Sequence, residues 1–473
     1  MFLVKASIKR PIMTTMGILT LLLFGFIAYN SMNLNQMPDV EIPYITISTV
    51  YPGAGPKEIE GQITKKIEDA VSTVSEIEKI ESYSLDGVSI IVMEFKLSKD
   101  VNVANQEVKS KVDEVMNDLP SDAKDPIIQK VDMKAFPIVD LVLSGNQSPK
   151  ELYEIADKKL KDRFSQIGGV AKVNITGGQK REVQIIMDNK TAFENGVSLP
   201  QMLQVLAAQN MDIPGGYFQD NNQELTVRFS GKYKNLDHIR DMEVPTLYGP
   251  KKISQFADVV DGGQKIREKA VFFDNKTKVK NENVVRLSIV KSSDGNEVIV
   301  AKAVLEALPE IQASLPPGVT LKLVNDASVF TEASVNDLIG NLELGILFTA
   351  VVLFLFLFDW RSTLIIALSM PTSIIITFLL MSASGMSKNM MSLMGLSVSV
   401  GVLVANSVVV IENIFRHKGL GENSENSAYK GTTEVLIAVL ASTLTNIVVF
   451  LPIAAMTSMV GKFMVELALS ATF

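Results

Sequence analysis

The apolar residues of this chain follow two patterns: runs of about twenty with almost no charge, and alternation with polar residues at strand or helix spacing. The long runs cover about 12 to 29, 338 to 358, 363 to 381, 391 to 411 and 433 to 456, and a sixth begins near Phe463. A hydrocarbon core of about 30 Å takes roughly 20 helical residues to cross at about 1.5 Å each, so every full run predicts a membrane span. Lys5, Lys9 and Arg10 before the first run would also suit a secretory signal peptide. That run is long, however, and SMNLNQMP has no small-x-small cleavage site, so a retained span is expected.

Between the first two spans the period changes. ITISTVY predicts a strand, PGAGP a turn, and EIEGQITKKIEDAVSTV a helix with Ile59, Ile63, Ile67 and Val71 on its buried side. IEKIESYS and VSIIVMEFKL around the turn DG predict a hairpin, and NVANQEVKSKVDEVMNDL predicts a second helix ended by Pro120. Strand, helix, strand, strand, helix is the order of a ferredoxin-like βαββαβ unit. The order recurs in FPIVDLVLSG, PKELYEIADKKLKDRFSQI and VAKVNITG, and is completed by VVRLSIVKSSDG, NEVIVAKAVLEALPEIQASL and VTLKLVND. REVQIIMD is a further strand, and 182–270, with a Pro-Gly turn at IPGG and the polar strand QELTVRFSG, is expected to be an inserted subdomain. Two similar units suggest duplication.

Composition sharpens this. The chain has 473 residues, 47% hydrophobic and 21% charged, with net charge -7, which fits a membrane bundle plus a polar domain and argues against a nucleic-acid surface. With no Cys, stability must come from packed cores. Lys5, Lys9, Arg10, Arg361, Arg416, His417 and Lys418 fall on one side if the spans alternate, which orients that side to the cytoplasm and segment 30–334 away from it. No phosphate loop, catalytic triad or metal-ligand spacing is seen, so neither an enzyme nor a cofactor is expected.

MPDVEIPYITISTVYPGAGPKEIEGQITKKIEDAV, SYSLDGVSIIVMEF, IGGVAKVNITGG, DWRSTLIIALSMPTS, GVLVANSVVVIEN and FLPIA together resemble the N-terminal half of resistance-nodulation-division (RND) efflux permeases, in the branch that exports hydrophobic and amphiphilic compounds. The resemblance implies a membrane α-helical bundle with a large extracytoplasmic α+β domain of ferredoxin-like porter subdomains and an inserted docking subdomain. It divides the chain into 1–30 with the first span, porter subdomain 1 at 31–135, porter subdomain 2 at 136–181 and 271–333, docking subdomain 182–270, and span two to the start of span six from 334 to 473. It further implies a homotrimer in the bacterial inner membrane, driven by an ion gradient and exporting amphiphilic small molecules. A periplasmic adaptor and, in a cell with two membranes, an outer-membrane channel would be its partners. Members are typically about twice this length, so a fragment, a truncated product and a half-transporter all stay open.

The resemblance also exposes a departure. Drug-exporting members carry two adjacent acids on span four, in a motif like GVLVDDAIVVVEN, and a buried Asp with a raised pKa can carry protons there. Here the matching residues are Ala405 and Asn406, and Asn cannot titrate. Ser399, Asn406 and Asn413 are seven apart and predict a polar stripe; Ser442, Thr445 and Asn446 predict a second one on span five to meet it. Ala405, Asn406, Ser407, Ser442, Thr445 and Asn446 are the candidate ion-coupling residues. Three readings stay open: amides and hydroxyls bonding between helices, a neutral oxygen site for a cation such as Na⁺, and proton transfer through other carboxylates, Glu343 and Glu466 among them. Glu412 reads as a helix-end residue. A non-transporting accessory subunit would also fit Asn406. Phe136 matches an aromatic that lines the substrate pocket of some drug exporters, so it is the candidate for substrate contact. The 21 Met residues suit core filling or, less simply, metal export, and His238 and His417 are too far apart in sequence to suggest a metal site. The segment NMDIPGGYFQDNNQELTVRF is short for a docking hairpin of this family.

Overall fold

The computed structural model of the protein describes residues 2–38, 40–131, 136–220, 223–233, 235–275 and 278–473. After a short helix α1 (Phe2–Lys9), the first long helix α2 (Pro11–Ser31) starts with Pro at its first turn, where no intrahelical N–H bond is lost.

The first sheet unit runs β1 (Tyr44–Val50), α3 (Pro56–Ile59), a π turn at Glu60–Thr64, α4 (Lys65–Val71), β2 (Ile77–Leu85), β3 (Val88–Phe95), α5 (Val101–Val115) and β4 (Ile127–Lys130). Its sheet order is β2-β3-β1-β4, with all neighbours antiparallel. β1 alternates half-buried and buried positions, so Ile45, Ile47 and Thr49 face the helices, as a period of two dictates. Asp100 caps α5 by accepting from the Asn102 and Val103 amides. Gly87 takes φ +74° in the β2–β3 turn.

Ile59, Ile63, Ile67 and Val71 are four residues apart, which in an α-helix advances each by about 40° round the axis and would carry the last about 120° off the core. The π turn underwinds that stretch, and all four are fully buried. The second unit repeats the device. Leu152, Ala156, Leu160 and Phe164 carry the same spacing through α6 (Pro149–Ile155), a π turn at Ala156–Leu160 and α7 (Lys161–Ser165), and all four are buried.

That unit places α6 and α7 between β5 (Pro137–Gly145) and β6 (Val170–Gly177). A long excursion follows. β7 (Arg181–Ile186), α8 (Asn189–Glu194), α9 (Leu199–Gln209), β8 (Asp212–Asp220), β9 (Gln223–Ser230), α10 (Leu236–Arg240), β10 (Glu243–Val244), β11 (Lys251–Lys252) and β12 (Asp258–Gly263) lead to β13 (Ala270–Asp274) and β14 (Val279–Lys291). α11 (Glu297–Ala313) and β15 (Val319–Asp326) complete the second sheet, in which β14 pairs with β5, β6 and β13, and β15 with β5. The strands β15-β5-β14-β6 therefore repeat the circuit of the first unit.

Within the excursion β7 pairs with β12, and Met202, Ile239, Val244, Ile253 and Phe256 form a separate core. IPGG is not a turn as its composition suggests: it lies inside β8, where the register to β9 shifts between Pro214 and Tyr217 and Gly216 takes φ +83°. A bulge uses the same glycine freedom as a turn, and only the partner strand decides between them.

Tyr44 stands opposite Glu94 across β1 and β3. Its hydrogen bond to Glu94 pushes the phenol up to about 12, with burial and the Glu94 charge adding. Glu94→Gln should bring that group back toward the ordinary value of about 10. Ultraviolet titration of the variant against the parent tests this, and an unchanged profile would refute it.

The chain continues as α12 (Ala327–Leu357), α13 (Trp360–Ala383), α14 (Met390–Gly419), α15 (Ser424–Ala454) and α16 (Met459–Thr472). Among the described residues five helices, α2 and α12 to α15, are long and apolar enough to cross a membrane. α12 begins eleven residues before the apolar run expected to start at 338, because Asp326 caps it directly off β15. The bundle packs through small residues: Gly25 of α2 lies against the Ile375 carbonyl of α13, Gly395 of α14 against Leu467 of α16, and Gly431 of α15 against Ile414.

Candidate ion-coupling site and outer cavity

α14 is fixed at its start by Asn389, which is fully buried and accepts from the Met391 and Ser392 amides. Its Nδ2 donates to the Ser387 hydroxyl at 2.8 Å and to the carboxylate of Glu466 on α16. Glu466 is thus engaged at the helix start. Beside it, Lys388 donates to the Tyr29 carbonyl at 2.7 Å and lies 4.2 Å from the Tyr29 ring centre, and burial pushes its ammonium group down.

Farther along α14, Asn406 Nδ2 is 3.4 Å from Thr443 Oγ1 of α15, a long bond. Ser407 donates back to the Leu403 carbonyl at 2.8 Å. Asn406 and Ser407, with Ser369 of α13 and the side chains of Ile366, Val410 and Val439, border an open cavity of about 300 Å³. Ala405 is exposed and offers only a methyl group.

The two polar stripes do not meet as their spacing suggests. Asn406 reaches Thr443, one residue from Ser442, while Ser442 is exposed and Thr445 bonds its own helix at Ala441. Asn446 and Ser399 both turn to the Ala471 carbonyl of α16, at 3.3 and 2.8 Å. Asn413 donates to the Gly431 carbonyl at 2.8 Å and to Glu434 at 3.2 Å. The reason is the third helix: α16 packs between the upper parts of α14 and α15, and spacing on one helix carries no information about it. Thr443 is the residue that sequence reasoning missed, and its position one residue off the predicted stripe gave no signal. Glu343 and Glu412 are both exposed.

Phe136 is 66% exposed and borders a second cavity, of about 250 Å³, together with Asn35, Lys291 and Glu297. Lys291 and Glu297 are buried charges that the sequence did not single out. Lys291 donates to the Gly295 carbonyl at 3.0 Å. Glu297 accepts from Thr331 of α12 at 2.8 Å and from the Gln36 amide at 3.3 Å, tying α11, α12 and the segment after α2 together. In sequence Glu297 looks like any acid in a first helical turn.

Helices long and apolar enough to cross a membrane, carrying polar side chains and fused to tandem antiparallel sheets, define the class of multi-pass membrane proteins with a large sheet domain. The chain belongs to the AcrB/AcrD/AcrF family, the RND permeases, which it matches over residues 3–473. It is similar to multidrug resistance protein MdtC of Yersinia enterocolitica, 29% identical over 466 residues, covering 98% of this chain and 45% of that protein. MdtC of Pantoea ananatis is likewise 29% identical over 466 residues, with 98% and 45% coverage. The chain therefore spans about half the length of these relatives. A crystal structure of a heavy metal efflux pump superposes with a TM-score of 0.84 at 23% identity, covering 99% of this chain and 46% of that one, a likeness of fold.

Proposed function

We propose that this chain works within an RND-type secondary active exporter of amphiphilic or hydrophobic compounds, as its N-terminal half. The family match over residues 3–473 carries the reading, and relatives named multidrug resistance proteins favour export over an accessory role. The two sheet units, with their shared strand circuit, act as ferredoxin-like porter subdomains on the far side of the inner membrane from the cytoplasm. The excursion from β7 to β12 acts as the docking subdomain. Phe136 contacts substrate. A homotrimer, an adaptor and an outer-membrane channel complete the assembly.

Span four sets the mechanism apart. An ion gradient drives alternating packing of the bundle, yet Ala405 and Asn406 have no proton to give. The Asn406–Thr443 contact holds α14 and α15 at the level where relatives of the drug-exporting branch place an acid pair. Driving protons are carried elsewhere in the assembly.

The test is Asn406→Asp in the assembled transporter, reading dye extrusion driven by an imposed pH gradient. The cavity beside Asn406 leaves room for a carboxylate, so expression and basal extrusion should persist while extrusion gains a new pH dependence. Unchanged pH dependence would mean this level of α14 takes no part in coupling. A response to Na⁺ alone would overturn proton drive.

A further inference from the structure

At the end of the bundle away from the sheets, in the last turn of α14, His417 is only 6% exposed. Its Nε2 lies 3.1 Å from Glu434 Oε1 of α15, and its Nδ1 lies 3.5 Å from Glu422 Oε1 in the turn between the helices. Both nitrogens are at ion-pair distance, yet neither makes a hydrogen bond of good geometry among the described residues. Glu422 Oε2 and the Thr433 hydroxyl are likewise buried with no hydrogen-bond partner among the described residues. Four unsatisfied polar atoms at one helix junction are costly unless something completes them.

We propose that His417 is a proton-binding site that clamps the far ends of α14 and α15, so that proton uptake from solvent tightens this junction and release loosens it. A neutral imidazole has one N–H and one lone pair, and the lone pair gains nothing by facing a carboxylate. Protonation adds one proton to that lone pair and breaks no other bond. The imidazolium then donates to both carboxylates after small rotations. Its position in the last turn of a helix also favours a cation.

The surrounding charges compete with it. Lys430 of α15 pairs with Glu422 at 2.7 Å, and Arg416 pairs with Glu434, so each carboxylate already has one cation. Lys430 holds the Glu422 carboxyl below its usual range, and His417 adds to that. Asn413 donates to Glu434 at 3.2 Å, and Lys418 lies over the Phe415 ring at 5.8 Å. α1, packed on α15, carries Lys5 and Lys9. Those cations oppose a further charge at His417, and the two facing carboxylates, each with a second oxygen, favour it.

The chain contains two histidines, so imidazole nitrogen NMR of the whole chain in lipid nanodiscs resolves the site, with His238→Gln to assign it. Expected are protons on both His417 nitrogens on the acid side of its titration, and a shift of that titration to lower pH in Glu422→Gln and in Glu434→Gln, with His238 unmoved. A spin label at the exposed position 420 should gain mobility as pH rises, and lose that response in His417→Gln. A His417 titration that ignores both carboxylate variants would overturn the proposal. So would a label whose pH response survives in His417→Gln. Neither readout requires transport, so failure here is distinct from failure of the exporter reading.

Discussion

Replacing Phe164 by alanine should destabilise the second sheet unit by about 3–5 kcal/mol, the range for emptying a fully buried aromatic site. Phe164 is the last of the four residues carried into the core by the π turn at Ala156–Leu160, and it belongs to the core cluster with Leu141, Leu143, Leu287 and Val304. The sheet on one side and α11 on the other limit how far the site can collapse. Thermal or denaturant unfolding of the purified chain, with circular dichroism as the signal, reads the loss. A change below about 1 kcal/mol would mean that the unit repacks around the gap, and that the π turn is not needed to place this ring.

Gly25→Leu should produce the second large effect, this time in the membrane. A Cβ at Gly25 would stand 2.2 Å from the Ile375 carbonyl oxygen and 2.8 Å from its carbon, so backbone and not a flexible side chain blocks it. α2 and α13 would have to separate. Close approach is what drives association between helices in lipid, where burial of apolar surface adds little. Overpacking costs about 1–3 kcal/mol in general, and the rigid neighbour puts this site at the upper end. Helix-pair stability in detergent titration should fall, whereas Gly17→Leu on the same helix, with open space around its Cβ, serves as the control. Equal effects at the two positions would show that the contact does not hold the helices together.

Much of the architecture was legible in the chain. Apolar runs of membrane length and strands of period two are local consequences of which residues must be kept from water, and they appear close to where the pattern puts them. Helix ends were less legible. α12 starts well before its apolar run and α14 continues to Gly419 beyond its own, since a helix stops where caps and neighbours stop it and not where hydrophobicity ends. The IPGG stretch shows the same limit in a strand: glycine announces an unusual φ, and the pairing of β8 with β9 makes it a bulge.

The candidate site divides along the same line. That Ala405 and Asn406 cannot titrate is a property of the residues alone, and no fold changes it. Which groups they meet is another matter. Asn406 finds Thr443, while Ser399 and Asn446 turn to the Ala471 carbonyl, because α16 enters between helices whose stripes had been matched in pairs. Lys291 and Glu297 look like surface charges by type, yet packing of α11 against α12 and the segment after α2 buries Glu297 with hydrogen-bond partners.

By itself the sequence determined where the apolar runs of membrane length fall, that the domain between them repeats a sheet unit, and that positions 405 and 406 of span four carry no acid, because each follows from residue chemistry at local spacing. Tertiary structure alone decided which polar groups pair across helices, where the four-residue spacing is absorbed by π turns, and that His417 is buried between two carboxylates. Those depend on residues distant in the chain meeting in space, and no local period encodes which neighbour will be there.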